Sequence, residues 1–487
     1  MTKYAGGALI PGLSVDRSDA ASLSMQLTTR LRDLILSGAL PPGTRLPATR
    51  VLARDHGVSR TTAVTVYEQL ASEGMVSSHV GAGTYVSEEV RPHAPAAPAP
   101  EGVSHVTKDL TERYFPRLDH PRTPRPFVTG MPAFDAFPMA QWARMQAKYW
   151  RGSRAGLMSY PEAAGLPALR EAICQHLRAN RGLSCAPGEV FVFAGAQDAF
   201  VQIAQILLEP GDAVWIENPG AIGARNAFLS RGARLVPVPV DGQGIDIAAG
   251  RAAEPKFRAA FTTPAHQHPL GVPMSRDRRF ELLEEAEMAG AWVIEDDYVG
   301  EFHYGRAPLP PLKALDAGGR VIYVGTFSKA LFPAIRLGYA VVPPGLSEVF
   351  TRTLEAAAHG VSHSVQAVAA AFIEEGRFSA HIRRMRDLYR DRRDALLEAA
   401  QSHLGGLLNV QPTETGFHTV GYFPQPRDEV AVAEAARAEG LATAPLSRFA
   451  LAPIAQQGLT LGFSAVPRIE LQRGVERLAN ALRAAPR

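Results

Sequence analysis

Cysteine is nearly absent from this chain. Only Cys174 and Cys185 occur in 487 residues, too few for a disulfide framework, and no structural zinc site or other metal site is expected from them. Long apolar runs are missing as well. No stretch reaches the roughly 20 uninterrupted apolar residues that a membrane helix requires, and Met1-Thr2-Lys3-Tyr4-Ala5 leads into no apolar core of signal-peptide length. No membrane partner is expected, and the expected location is the cytoplasm. The net charge is only +3, so any nucleic-acid partner has to be argued from local residues rather than from the total. No internal repeat or heptad run is found. The hydrophobic fraction of 46% and charged fraction of 20% describe an ordinary globular chain, long enough for more than one domain and a large core.

What is present begins with a compact pattern from about Ser22 to Val86. Leu23, Met25, Leu27, Leu31, Leu34 and Ile35 recur at helical spacing, and the helix should stop near Ser37-Gly38 before the turn Pro41-Pro42-Gly43. A second helix starts after Pro47 and ends at His56-Gly57-Val58-Ser59, where glycine permits a tight turn and the Ser59 hydroxyl can cap the next helix. That third helix, about Arg60 to Gly74, directs Ala63, Val64, Val66, Tyr67 and Leu70 inward. Met75 to Val86 then alternates and turns at Gly81-Ala82-Gly83, as a two-stranded wing would. From Ala20 to Val86 there are six arginines against four acids.

The character changes after Ser87. His93-Ala94-Pro95-Ala96-Ala97-Pro98-Ala99-Pro100 can neither pair into a sheet nor continue a helix, and reads as an extended tether. Beyond it, short apolar runs alternate with helical patterns: Val190 to Phe193, Ala213 to Ile216, Arg258 to Phe261, Ala291 to Ile294 and Val321 to Val324. That rhythm predicts a mostly parallel sheet buried on both faces by helices. From about Ala356 the pattern becomes helix and then mixed α/β, a small C-terminal subdomain. The predicted domains are residues 20–87, a linker 88–126, and residues 127–487.

The chemistry concentrates at Val324-Gly325-Thr326-Phe327-Ser328-Lys329, followed by Arg336-Leu337-Gly338-Tyr339. One lysine among small hydroxyl residues after a strand suits pyridoxal 5'-phosphate, whose aldehyde forms an imine with an amine and whose phosphate needs hydroxyls, N–H groups and a guanidinium. Lys329 is therefore the expected catalytic residue, bound to the cofactor as a Schiff base, with Thr326, Ser328 and Arg336 at the phosphate. Asp296 ends an apolar strand, where a carboxylate can keep the pyridine nitrogen protonated. Tyr298, two residues on, points the same way along an extended chain and can donate to the ring oxygen. Gly195-Ala196-Gln197 lies between a strand and a helix and can turn backbone N–H groups toward phosphate. His266 can hydrogen-bond the cofactor or a ligand.

Two resemblances follow from these segments. Pro41 to Arg50, Gly57-Val58-Ser59-Arg60-Thr61-Thr62 and Gly81 to Val86, in that order and spacing, resemble the winged helix-turn-helix of GntR-type transcription regulators. The resemblance implies a third helix in the major groove of double-stranded DNA, with Arg45, Arg50, Ser59, Arg60, Thr61, Thr62 and Gly81 as the DNA-binding residues. Some such regulators carry another arginine where this chain has Val64. From about Phe127 onward the chain resembles fold-type I aminotransferases. The whole is similar to the MocR (GabR-like) branch, through Tyr160 to Arg170, Thr263 to Gly271 and Glu295 to Phe302. That branch implies a head-to-tail homodimer and an arginine for an acidic ligand group, here Arg448 with Arg225 second. Where aminotransferases commonly have Asn-Pro, this chain has His268-Pro269. At Pro219-Gly220-Ala221, relatives often carry an aromatic residue that stacks on the cofactor. Ala221 cannot stack, so either another side chain covers the ring or the pocket admits a bulkier ligand.

The implied function is a transcription regulator that senses a small amine by forming an external aldimine in place of Lys329. Rapid transamination is not expected, though weak activity is compatible with the same residues. The alternatives are a working aminotransferase with a DNA-binding head and a sensor of the cofactor itself.

Overall fold

The structure is a computed structural model; it describes residues 10, 13–19, 21–79, 83–90, 112–116, 121–152, 158–305, 309–357 and 360–484. The chain divides into two compact units, residues 1–105 and 106–487. Most of the predicted tether, residues 91–111 and 117–120, lies outside the described residues.

In the first unit, helix α1 (Leu23–Leu36) is capped by Ser22, whose hydroxyl accepts from the Met25 N–H. It buries Leu27, Leu31 and Ile35, one stripe at helical spacing. Met25 does not join them: it lies about 200° around the helix from Leu27 and is 56% exposed. Helix α2 (Thr49–Asp55) is followed by Gly57 at φ +61°, and Ser59 caps α3 (Arg60–Ser72) by accepting from Thr62 N–H at 3.0 Å. Ala63, Val66, Tyr67 and Leu70 are buried, and the Tyr67 hydroxyl donates to the Pro47 carbonyl at 2.7 Å, locking α3 to the turn before α2. Val64, expected inward, is only half-buried. Strands β1 (Val76–His79) and β2 (Gly83–Val86) pair antiparallel from Val76↔Val86 to His79↔Gly83. Gly81, at the wing's tip, lies outside the described residues.

The second unit is built on an eight-stranded sheet in the order β3-β10-β9-β8-β7-β4-β5-β6. All five runs read from the sequence are strands: β3 (Val190–Phe193), β4 (Ala213–Asn218), β7 (Ala259–Thr262), β8 (Trp292–Asp297) and β9 (Val321–Thr326). β4, β7, β8 and β9 are mutually parallel and nearly wholly buried, as helices on both faces require. Two further strands depart from the simple pattern. β5 (Arg234–Asp241) carries Pro237 and Pro239, which ordinarily argue against a strand. Over those residues it pairs only with β4, its antiparallel contact with β6 (Gly244–Ile245) being confined to Val240 and Asp241, so one side needs no N–H donors. β10 (Gly338–Val341) runs antiparallel between β3 and β9.

A second sheet, β11 (Asn409–Val410), β12 (His418–Tyr422), β14 (Gly458–Gly462) and β13 (Ala444–Pro445) in that order, forms the C-terminal subdomain with the helices Arg377–His403 and Arg468–Ala484. The segment from Pro126 to Met131 is woven into it. Pro126 and Phe127 carbonyls accept from Ala442 and Gly462 N–H, and Ser464 Oγ donates to the Met131 carbonyl at 2.6 Å. Gly462 permits this approach, because a Cβ there would stand 1.9 Å from the Val128 oxygen. Among the described residues, no helix is long and apolar enough to cross a membrane.

Candidate functional site

Strand register brings the predicted residues to one end of the large sheet. Asp296 and Asp297 lie opposite Val324 and Gly325 on parallel β9, so Asp296 and the Thr326-to-Lys329 turn emerge at neighbouring carboxyl ends. Because β10 is antiparallel, its amino end sits there too: Gly338 pairs with both Thr326 and Phe193. Arg336 and Gly195, each two residues from that register, are thereby neighbours, and a Cβ on Gly195 would stand 3.5 Å from the Arg336 guanidinium. A cleft at the carboxyl ends of parallel strands is where open α/β sheets hold ligands.

Lys329 sits in the short helix Phe327–Ala330, and its Nζ donates to the Gly130 carbonyl at 2.6 Å. Burial lowers its ammonium to about 8, opposed by the Asp296 carboxylate. Asp296 is pushed up to about 8 by burial and by neighbouring Asp297. Its Oδ1 is buried without a hydrogen-bond partner, an uncommon and costly arrangement for a native carboxylate. Asp297 is paired with buried Arg181 at 2.6 Å and accepts from the Tyr323 hydroxyl at 2.8 Å. Tyr298 donates to the His266 carbonyl at 3.0 Å. The helix Ala196–Leu207 starts two residues earlier than read from the sequence, and no side chain caps its amino end. Thr326 Oγ1 accepts from Ser328 N–H at 3.2 Å, and both side chains are half-buried. These features fit pyridoxal phosphate: an orphaned carboxylate oxygen for a protonated ring nitrogen, an amine of lowered basicity, and an open helix end beside a guanidinium for a phosphate.

A group of three imidazoles adjoins Tyr298. His266 and His418 have ring centroids 4.7 Å apart, and His268 lies 5.4 Å from His418 and 5.1 Å from Phe449. Burial holds His266 well below its ordinary range and His418 at about 4, so both are neutral. His266 Nδ1 bonds to the Thr415 hydroxyl at 2.8 Å, while Nε2 has no partner. Gly271 and Gly416 make room for this ring, a Cβ on Gly416 falling 2.4 Å from Nε2. Among the described residues no group of His, Cys, Asp or Glu could hold a metal ion.

Neither of the two arginines read as ligand contacts lines the cavity that Lys329 lines. Arg448 donates to the Pro116 carbonyl at 3.0 Å and lines a cavity of about 730 Å³ with Arg125, Arg437 and Thr129. Lys329 lines a different cavity, of about 530 Å³. Arg225 is fully buried and its guanidinium donates to the Phe449 and Glu217 carbonyls, with Nε and Nη1 unpartnered. Burial lowers it to about 10. Gly130, Thr415 and His418 were not singled out from the sequence. A glycine before Met131-Pro132 was the only local signal for the first, and the others lie in a remote subdomain.

On the head, Arg45, Arg50, Arg60 and Thr61 are exposed, and no acidic partner engages the three arginines among the described residues. Ser59 and Thr62 hydroxyls lie 2.8 Å apart and are engaged with each other in the cap. Arg45 lies along the wing, where a Cβ on Gly83 would be 3.2 Å from its Nε.

Residues 127–478 match the family described as aminotransferase class I and II, and residues 23–86 match the bacterial regulatory proteins of the gntR family. The chain is 38% identical over 474 residues to the probable rhizopine catabolism regulatory protein MocR of Rhizobium meliloti, covering 96% of this chain and 95% of the relative. It is 32% identical to the HTH-type pyridoxine biosynthesis transcriptional regulator PdxR of Corynebacterium glutamicum, covering 93% and 94%. A kynurenine aminotransferase structure from Pyrococcus horikoshii superposes with a TM-score of 0.69 at 28% identity, covering 79% of this chain and 95% of that one.

Proposed function

The chain belongs to the MocR-type branch of the GntR family, transcription regulators in which a DNA-binding winged helix precedes an aminotransferase-like domain that uses pyridoxal phosphate, and on that premise we propose that its signal is a small primary amine. The observation that carries this reading is Lys329, its amine lowered to about 8 by burial, within electrostatic reach of Asp296, whose Oδ1 is buried without a hydrogen-bond partner. When bound, the cofactor supplies an aldehyde that condenses with one amine at a time. Lys329 would hold it in the resting protein. Asp296 would face the ring nitrogen, Tyr298 would turn its hydroxyl to the ring oxygen, and Thr326, Ser328, Arg336 and the amino end at Ala196 would hold the phosphate.

The reading assigns residues 20–87 to the winged head, 88–126 to the linker and 127–487 to the effector domain, in a cytoplasmic protein. The assembly we favour is a head-to-tail homodimer. Met158 and Tyr160, 77% and 89% exposed, support a partner surface on the effector domain. Arg45, Arg50, Arg60 and Thr61 supply the head's contacts to duplex DNA.

An amine alters DNA affinity only by binding two arrangements of the protein unequally; a tenfold response needs about 1.4 kcal/mol of difference. The test is to select an operator from random duplexes, then measure affinity with cofactor alone and with cofactor plus amines, assaying keto acid in parallel. A change in visible absorption with altered operator affinity and little keto product is expected. Fast multiple turnover with unchanged operator affinity would refute the sensor reading.

A further inference from the structure

The cavity beside Lys329 is described by what surrounds it. Apart from Lys329 and Arg122, every lining residue is apolar, among them Met131, Phe134, Phe137, Met139 and Phe332. Phe137 and Phe332 meet edge to face at 4.9 Å and form one wall. Met131 and Phe137 are buried, whereas Phe134 and Met139, 39% and 62% exposed, stand toward the mouth. The volume of about 530 Å³ lies in the ordinary range for a small-molecule pocket.

Such a lining selects by what it cannot solvate. A distal carboxylate, sulfonate or ammonium carried past Arg122 among the apolar side chains would lose water and gain no hydrogen-bond partner from them. The three arginines that could serve an acidic tail, Arg125, Arg437 and Arg448, line not this cavity but one that adjoins it at Pro121. Arg122 is exposed and can meet an α-carboxylate near the opening without reaching the apolar interior. Methionines at two wall positions adapt readily to differently shaped hydrocarbon.

We propose that the amine sensed at Lys329 carries an apolar body, aromatic or large aliphatic, which seats in the Met131, Phe134, Phe137, Met139 and Phe332 cavity. This rests on the amine-sensing function proposed above and specifies its ligand class: hydrophobic primary amines and the amino acids that bear such side chains.

The experiment titrates the full-length, cofactor-loaded protein with phenylethylamine, phenylalanine and leucine, and with taurine, β-alanine and 1,5-diaminopentane, following visible absorption and calorimetric heat. The apolar set should bind at least tenfold more tightly. Met139→Glu, at an exposed position, should weaken phenylethylamine about tenfold and strengthen 1,5-diaminopentane, while Met139→Leu should leave the ranking intact. A ranking led by taurine or β-alanine, or one that Met139→Glu does not change, overturns the apolar-body assignment and leaves amine sensing standing. Absence of any response to all six amines overturns both.

Discussion

Lys329 should titrate far below an ordinary lysine, and the test is direct. A solvated lysine ammonium titrates near 10.4, so at pH 7.5 about one molecule in a thousand is neutral. In this fold burial lowers Lys329 to about 8, which makes about one in four neutral and raises its reactivity toward an aldehyde or acylating reagent by roughly two orders of magnitude. The sign of the Asp296 effect is also fixed. Its carboxylate favours the ammonium, so Asp296→Asn should move the Lys329 midpoint further down. Because Asp296 itself is held at about 8, the two groups exchange protons over the same range. The wild-type curve should accordingly be broader than a single titration, and the Asn variant's should narrow. Competitive labelling of the cofactor-free protein with a trace amine-acylating reagent from pH 6 to 11, read by peptide mass at residue 329, gives both midpoints. A wild-type midpoint near 10.4, or an upward move in Asp296→Asn, would refute the reasoning.

Two further perturbations separate the parts of the molecule. Arg60→Ala should weaken operator binding and lower the salt slope by about one, measured by fluorescence anisotropy from 50 to 200 mM salt, because Arg60 is exposed at the start of α3. Arg181→Ala should destabilise the effector domain by about 3–5 kcal/mol, since it strands the buried Asp297 carboxylate that Arg181 holds at 2.6 Å; urea denaturation reads the loss, and Arg60→Ala serves as the unaffected control.

The sequence disclosed those parts of the protein whose physics is local. Ser59 before α3 and the five short apolar runs could be read because capping and strand burial act within a few residues. Lys329, Asp296 and Arg336 could be proposed because each belongs to a strand-end segment whose composition is itself informative. What escaped depends on partners distant in sequence. β5 was hidden by Pro237 and Pro239, which are harmless only because of where the strand lies in the sheet. Gly130 meets Lys329 across 199 residues and Thr415 meets His266 across 149, separations over which no spacing rule operates. Arg448 was proposed from resemblance rather than from a local signal, and it lines a cavity that adjoins that of Lys329 at Pro121. Met25 matched a helical stripe by hydrophobicity alone and failed by angle.

The segment from Pro126 to Met131 joins the C-terminal sheet to the lysine. It is stitched to the C-terminal sheet through main-chain bonds at Ala442 and Gly462, and its Gly130 oxygen receives the amine of Lys329. A few residues upstream, Pro121 and Arg122 line the same cavity as that amine. The end of the predicted linker is therefore itself part of that cavity's wall. An occupant of that cavity would touch a stretch of backbone that lies only a few peptide bonds from the oxygen receiving the Lys329 amine.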